Sequence, residues 1–191
     1  MGGKGMDPRI EHTRRVVLQA ASEVVAERGF ADASIDAIAQ RSGVARSTIY
    51  RHWPDRMTLL LEAVRSLLRP PQVPSGGDAR SILTALATQL NDMLAAEPFG
   101  SIVATLIAES RRDQQLDELR EKFFGQRVVE VAEVLRSALD QKEMPAGIQV
   151  AGLVDDVSAP IFFHALVMRA PVDQAWIETR VDHLLAAAGI N

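Results

Sequence analysis

The stretch SIDAIAQRSGVARSTIYRHWPDR, residues 34–56, decides the fold. It holds two short amphipathic segments separated by Ser-Gly-Val, with a capping serine before the first segment and Pro54 after the second. Ala39, Gly43 and Ile49 follow the spacing Ala-x3-Gly-x5-Ile. A small residue lets two helices cross closely, glycine adopts the backbone angles of a tight turn, and isoleucine anchors the second helix in the core. The stretch therefore predicts two helices joined by a tight turn.

The second of these helices is predicted to expose hydrogen-bonding side chains. Ile49 and Trp53 are four residues apart and lie on one inward face. The outward positions are then held by Arg46, Thr48, Tyr50 and Arg51. A helix of this kind fits the major groove of duplex DNA, where arginine can donate two hydrogen bonds to guanine. The pattern indicates a DNA-reading helix, although helix pairs with a glycine turn also occur in α-proteins that bind no DNA.

Composition excludes several classes of protein. With 191 residues, 47% of them hydrophobic, the chain can bury a core without disulfides or metal. It contains no cysteine, which excludes disulfides, thiolate nucleophiles and cysteine-ligated metals and suits a reducing cytoplasm. The longest strongly apolar run, Ile161–Met168, is interrupted by a histidine and is far shorter than the roughly 20 residues of a membrane-spanning helix. We therefore expect a cytoplasmic protein without a membrane segment.

The sequence lacks the residue patterns that are typical of enzyme active sites. The histidines have no metal-binding spacing, and no phosphate-binding glycine loop follows a strand. The sequence therefore predicts no catalytic residues, no metal site and no cofactor. The four histidines lie far apart at His12, His52, His164 and His183.

Charge is divided unevenly along the chain. The formal net charge is −4, but residues 1–69 hold 11 basic and 8 acidic residues, whereas residues 70–191 hold 10 and 17. The first part is thus +3 and the second −7, and most basic residues of the first part are arginines. A surplus of this size also fits an ordinary solvated surface. It supports DNA binding only together with the helix pair.

The remaining sequence has helical periodicity and no strand pattern. Helices are predicted over about 10–28, 55–67, 79–97, 99–111, 114–142, 149–169 and 172–188. Pro160 lies inside an apolar run, where we expect it to kink a buried helix. The sequence predicts an all-α protein with four parts: a disordered tail at 1–9, a domain with three helices and a helix-turn-helix at 10–69, a junction at 70–78, and a second helical domain at 79–191.

Residues 14–68 resemble the DNA-binding domain of the TetR (tetracycline-repressor-like) family of transcriptional regulators. Three positions depart from the family pattern: Ala45 replaces a usual serine cap, Trp53 a phenylalanine and Arg56 a lysine. The resemblance is carried by Ala20-Ala21, Gly29-Phe30, Ser34 to Ala39, Gly43-Val44, Thr48 to Pro54, Asp55-Arg56 and Leu59-Leu60.

The resemblance implies a role for particular side chains on DNA. Tyr50 and Arg56 would hold phosphates, helped by Thr13, Arg14 and Ser34, and these contacts set register rather than sequence. His52 is open between a phosphate or base contact and shielding of the neighbouring tryptophan. The candidates for base edges are Arg46, Ser47, Thr48 and Arg51.

The resemblance also implies a homodimer, because one helix reads too little double-stranded DNA to be specific. Family members pair through their last two long helices, and a core helix inside one chain is the alternative. The candidate interface residues are Leu153, Val157, Ile161, Met168, Trp176, Val181, Leu184 and Leu185.

The family further implies a small-molecule effector of unknown identity, bound by the second domain and releasing the DNA. Each pocket residue proposed below can equally be a residue of the hydrophobic core. Apolar candidates for its pocket are Met93, Phe99, Val103, Ile107, Phe123, Phe124, Phe162 and Phe163, and polar ones are Gln89, Asn91, Glu109, Gln126, His164 and Arg169. Together these features predict a ligand-responsive repressor on a palindromic operator. The alternative is a helical binding module without DNA activity.

Overall fold

The computed structural model describes residues 8–74, 78–138, 149–170 and 172–190, and over these ranges it is helical without strands. The predicted all-α class is confirmed. The helices are α1 (Pro8–Asp32), α2 (Ile35–Ser42), α3 (Arg46–His52), α4 (Arg56–Ser66), α5 (Ala79–Ala95), α6 (Phe99–Ser110), α7 (Gln114–Ala138), α8 (Val150–Phe162) and α9 (Gln174–Ala188), with a π-helical turn at Phe163–Met168 between the last two.

The chain forms two compact units that are not consecutive in sequence. Helices α1 to α4 form the first unit together with residues 101–120, and residues 69–100 and 121–190 form the second. The sequence predicted domains at 10–69 and 79–191 with a junction at 70–78, of which residues 75–77 lie outside the described part. Residues 101–120 nevertheless pack with the first unit, because helical periodicity reports a buried face and not the helix that covers it.

The predicted tail at residues 1–9 is corrected where the structure describes it. Residues 1–7 lie outside the described part, but α1 begins at Pro8 and includes Arg9. Proline is favoured at the first helical position because its missing N–H would have no partner there and its φ is already helical. The apolar pattern starts at Ile10, so the start of α1 that it predicted lies two residues after the observed start at Pro8.

The turn between α2 and α3 is built as the sequence predicted. The Ser34 hydroxyl accepts a hydrogen bond from the Ala37 N–H at 3.1 Å and caps α2. Gly43 follows α2 with φ 69°, and its N–H donates to the Ala39 carbonyl. Ala45 precedes α3 without a side-chain cap. Ile49 of α3 is fully buried.

Helix α8 is only partly buried in the monomer, which corrects the expected buried helix. The span Val150–Met168 is 19 residues long with mean hydropathy 1.5, and its most apolar window is only 22% buried. By length and composition alone it could cross a membrane, whereas the run singled out in the sequence was the shorter Ile161–Met168. Pro160 lies inside α8, and the helix continues past it as the π-helical turn. A proline ring displaces the preceding carbonyl and removes one N–H donor, which favours such a local change of winding.

Two carboxylates of the second unit make the stability of the protein depend on pH. Asp182 accepts hydrogen bonds from Arg80 at 2.6 and 3.2 Å, and the guanidinium lowers the pKa of Asp182 below its ordinary 3.8. Asp78 caps α5, and the Ser81 N–H lowers the pKa of Asp78 in the same direction. A carboxyl group whose pKa is lower in the folded than in the unfolded state stabilises the protein at a pH above its unfolded-state pKa. That stabilisation is lost as the pH falls through the folded-state pKa.

We therefore expect the free energy of unfolding to fall as the pH drops below about 4. The Asp182→Asn variant should be less stable than the wild type at pH 7, with a smaller difference at pH 3. Urea unfolding at both pH values measures this. Asp92→Asn is the control, since no described residue is recorded as bonding Asp92. An unchanged difference between pH 7 and pH 3 would contradict the assignment.

Candidate nucleic-acid interface

Helix α3 is held in the first unit by one face and exposes the other. Ile49 is fully buried, and Trp53, which follows the helix, is 1% exposed. Tyr50 is 47% exposed, and Arg46, Ser47 and Arg51 are exposed on the same helix. The helix is too short to be stable alone. Its inward anchors therefore fix the direction in which its polar side chains point.

Two of the arginines on the outer face of α3 have side-chain partners. The Arg46 Nε lies 2.8 Å from Oδ1 of Asp36 on α2, and both side chains are more than half exposed. The Arg51 Nη2 donates to the Thr48 hydroxyl at 3.1 Å. Each contact leaves other guanidinium N–H groups unused by that contact, and arginine has five. The exposed face thus presents restrained hydrogen-bond donors.

Arg14 contacts the tryptophan that ends α3. Its guanidinium forms an ion pair with Glu62 and lies 4.9 Å from the centre of the Trp53 ring. The Trp53 Nε1 donates to the other Glu62 oxygen at 2.8 Å. Arg14, which the family resemblance placed on phosphate, thus contacts Glu62 and the Trp53 ring within the first unit.

Arg56 is likewise occupied within the first unit. Its Nη1 donates to the Phe30 carbonyl at 2.6 Å. On the other side of the same peptide segment, Glu109 of α6 accepts hydrogen bonds from the N–H groups of Phe30 at 3.1 Å and Ala31 at 3.3 Å. The segment after Gly29 is thus held by a guanidinium on its carbonyl and a carboxylate on its N–H groups. The sequence analysis considered Glu109 only as a pocket residue.

Gly29 is required at this segment by its backbone and by its neighbour. Its φ of 81° and ψ of 175° belong to a region that is almost confined to glycine. A Cβ at this position would lie 2.5 Å from Oε1 of Glu109. We expect Gly29→Ala to lower the free energy of unfolding by about 1–3 kcal/mol. Urea unfolding measures the change.

Gly125, in the middle of α7, provides the opposite control for this prediction. A Cβ there meets nothing within 4 Å. Alanine in an exposed helix interior is favoured over glycine by about 1 kcal/mol, so Gly125→Ala should stabilise the protein. Equal effects of the two substitutions would show that the strain at Gly29 is absent.

The remaining predicted phosphate contacts have mixed surroundings. The Thr13 hydroxyl donates to the Arg9 carbonyl within α1 at 2.9 Å, and Ser34 caps α2. The His52 ring meets the Trp53 ring edge-on at 5.7 Å between centres. This is the shielding geometry that the sequence left open for His52. Thr13 and His52 remain partly exposed, and Ser34 is exposed.

Arg41 of α2 is paired with two carboxylates of α1. Its Nη1 donates to Glu27 at 2.9 Å and to Glu23 at 3.2 Å. The hydrogen bonds from Arg41 lower the pKa of Glu27, and those carboxylates raise the pKa of Arg41. Sequence reasoning missed this group. Its available signal was the spacing of Glu23 and Glu27, which are one helical turn apart on α1.

The predicted apolar pocket residues are divided between the two units. In the second unit, Phe99, Phe123, Phe124 and Phe162 form a chain of ring contacts with centres 6.5, 5.2 and 5.8 Å apart. Phe99 and Phe123 are buried, as is Met93, whereas Phe163 is 51% exposed. Val103 and Ile107 belong to the first unit. Four of the predicted pocket residues therefore form one row of ring contacts in the second unit.

An open polar groove of about 550 Å³ lies on α5 in the second unit. Sequence reasoning placed only Gln89 among the ligand candidates here. The Thr84 hydroxyl oxygen is buried and has no hydrogen-bond partner among the described residues. The groove is lined by Arg69, Gln72, Arg80, Ser81, Thr84, Ala85, Thr88, Gln89, Asp92 and Gln174.

The predicted interface residues of α8 and α9 divide into inward and outward positions. Leu153, Ile161, Val181 and Leu185 are at most 9% exposed and pack inside the second unit, where α5 lies against α8 and α9. Val157, Trp176 and Leu184 are partly exposed. Met168 is 56% exposed, and Phe163 and Val167, which the sequence analysis did not assign to the interface, are exposed beside it. Periodicity identified the apolar helices but not the side that the monomer leaves uncovered.

Comparison with known families identifies both parts of the chain. The family described as "Bacterial regulatory proteins, tetR family" matches residues 17–63, and "Tetracyclin repressor-like, C-terminal domain" matches residues 73–184. The HTH-type transcriptional regulator YdeS of Bacillus subtilis (strain 168) is 27% identical over 184 residues, which cover 95% of this chain and 92% of YdeS. The regulator SrpR of Pseudomonas putida is 27% identical over 144 residues, 73% of this chain and 67% of SrpR.

Solved structures agree. The TetR family transcription regulator SCO0332 has a TM-score of 0.70 and 28% identity, covering 92% of this chain and 97% of that one. A Rhodococcus sp. protein reported as TetR-family shares the fold with a TM-score of 0.72 at 16% identity, covering 93% and 98%. The chain belongs to the TetR family. It is a DNA-binding transcriptional regulator with a helix-turn-helix, and not an enzyme.

Proposed function

We propose that this regulator binds a palindromic operator as a homodimer in the cytoplasm and represses transcription until a small-molecule effector releases it. The observation that carries the proposal is α3, which buries Ile49 against the first unit and exposes Arg46, Tyr50 and Arg51. A helix anchored on one face and polar on the other can enter the major groove.

Contacts within the first unit divide the DNA-binding candidates into two groups. Base contacts are assigned to Arg46, Ser47, Thr48 and Arg51, and phosphate contacts to Tyr50, with Thr13, Ser34 and His52 as exposed neighbours. Arg14 and Arg56 are assigned a supporting role, since their guanidinium groups bond Glu62 and the Phe30 carbonyl. Supporting residues orient the helix, and exposed residues read the DNA.

The exposed apolar span Val150–Met168 supports the homodimer. Phe163, Val167 and Met168 are each more than half exposed in the monomer. Covering such a patch with a second copy removes apolar surface from water, and a two-fold axis pairs the same patch on both subunits. The partly exposed Val157, Trp176 and Leu184 complete the proposed interface. Because dimerisation would cover these exposed apolar residues, the proposal does not place the span in a membrane.

The effector is proposed to bind the second unit. The groove on α5 is the favoured site, because it offers free volume lined mainly by polar residues. The aromatic chain through Phe123 and Phe124 is the second candidate. An effector can release DNA only if it binds the DNA-incompetent conformation more tightly than the competent one.

Selection of bound duplexes from a random DNA pool tests the proposal. The full-length protein is used at moderate salt, and light scattering measures its oligomeric state in the same buffer. We expect a palindromic sequence to be enriched by a dimer, with half-sites about one helical repeat or a multiple of it apart. Failure of folded, ligand-free protein to enrich any sequence would favour the helical binding module instead.

Salt dependence provides a second expected result on the selected operator. Phosphate contacts release counterions, so the logarithm of the association constant should fall linearly with the logarithm of salt concentration. The slope is about −0.9 for each phosphate that the protein neutralises on duplex DNA. Fluorescence anisotropy between 50 and about 200 mM salt measures it. A flat response would contradict binding through phosphates.

A further inference from the structure

Asp36 is an exposed acidic residue of the helix pair α2–α3, which also carries Arg41, Arg46 and Arg51. It lies in the first turn of α2, and its Oδ1 lies 2.8 Å from the Nε of Arg46, the first residue of α3. Both side chains are more than half exposed. An exposed ion pair contributes little to folding. Its position beside the outer face of α3 suggests a different use.

The geometry of the pair determines which edge of Arg46 remains available. A guanidinium is planar and can bond along its Nε edge or along the edge formed by its two terminal nitrogens. The Asp36 carboxylate lies beside the Nε edge, as an ion-pair partner at 2.8 Å. The edge formed by the two terminal nitrogens is the other edge, and it matches the N7 and O6 acceptors of guanine.

We propose that Asp36 is a positioning residue that orients Arg46 for a bidentate contact with guanine and thereby sets base specificity at one position of each half-site. The inference rests on the proposed entry of α3 into the major groove. Holding the arginine before binding reduces the side-chain freedom that is lost on the DNA. A carboxylate near phosphates is otherwise repulsive, so its removal has two separable effects: weaker repulsion at every sequence and poorer discrimination at one base.

The test compares Asp36→Asn with the wild type in selection from the random pool. Arg46→Ala first identifies the base position at which Arg46 acts, because the preference at that position broadens in this variant. We expect Asp36→Asn to broaden the same position and to lower the preference for guanine there about 3- to 30-fold. In the Arg46→Ala background, Asp36→Asn should change nothing further at that position.

A modified duplex provides a direct probe of the proposed hydrogen bond. Replacing that guanine by 7-deazaguanine removes the N7 acceptor and should weaken binding by the wild type. Asp36→Asn should lose most of this sensitivity. Asp32→Asn is the matched control, since it removes the same charge from the same unit at a residue with no recorded side-chain contact to Arg46. Thermal melting of each variant reports any loss of folding.

The outcomes separate this inference from the proposed function. If the wild type enriches no sequence, the proposed function fails. If the wild type enriches an operator but Asp36→Asn keeps its preference at the Arg46 position, the positioning role is overturned. It is also overturned if Asp36→Asn tightens binding equally at all sequences, or if it changes a different base, which would indicate that Asp36 contacts DNA itself.

Discussion

Replacing Trp53 by alanine should lower the free energy of unfolding by about 3–5 kcal/mol and abolish operator binding. The Trp53 side chain is 1% exposed, so its removal leaves a cavity. Its ring also connects three elements. It follows α3, lies under the Arg14 guanidinium of α1 at 4.9 Å and donates to Glu62 of α4 at 2.8 Å. Helix α3 would then lose one of its two buried anchors, although none of its own residues is changed.

Urea unfolding at a fixed protein concentration measures this effect, because dimerisation makes apparent stability depend on concentration. Trp53→Phe is the matched variant, since it keeps an aromatic ring at this position but loses part of the indole, including the N–H bonded to Glu62. We expect it to lose about 1–2 kcal/mol and to retain operator binding. If Trp53→Ala is as stable as Trp53→Phe, the anchoring role of the ring is wrong.

Replacing both Arg46 and Tyr50 by alanine should remove specific binding with little change in stability. Both side chains are exposed on α3, so neither supports the core. A bidentate arginine contact discriminates between bases by about 1–3 kcal/mol, and a dimer makes it once in each half-site. The expected loss of affinity is at least about 1,000-fold, the lower end of the separation between specific and non-specific binding. Anisotropy on the selected operator measures it.

Arg28→Ala provides the charge-matched control for the double variant. Arg28 is exposed in the same unit but belongs to α1. Its loss should weaken binding equally at all sequences, if at all, and leave the selected motif unchanged. The double variant should retain the wild-type dimer by light scattering. Operator affinity that survives in the double variant would show that α3 does not read the DNA.

The helices of the first unit were predictable because their signals are local. Ser34 caps α2, Gly43 takes a positive φ, and Ile49 is the inward anchor of α3, and each role follows from the residue type and its spacing. The same local rules placed the start of α1 too late, since Pro8 begins it. They also missed the π-helical turn after Pro160.

The partners of charged side chains were not predictable from the sequence. Arg14, Arg41 and Arg56 have the same chemistry as Arg46, yet they bond Glu62, Glu27 with Glu23, and the Phe30 carbonyl. The partners are up to 48 residues away in the chain. Spacing along α1 pairs Glu23 with Glu27, but it carries no information about which arginine the two carboxylates bond. The sequence therefore did not show which arginines are paired within the first unit.

By itself, the sequence determined the helical class, the helix-turn-helix and the exposed face of α3, because periodicity, caps and turn residues act within a few positions. The tertiary structure decided which arginines remain exposed, that residues 101–120 join the first unit, and which side of α8 stays uncovered. These outcomes depend on contacts between residues distant in the chain. Such contacts form only when amphipathic helices choose their partners, and many pairings satisfy the same periodic pattern.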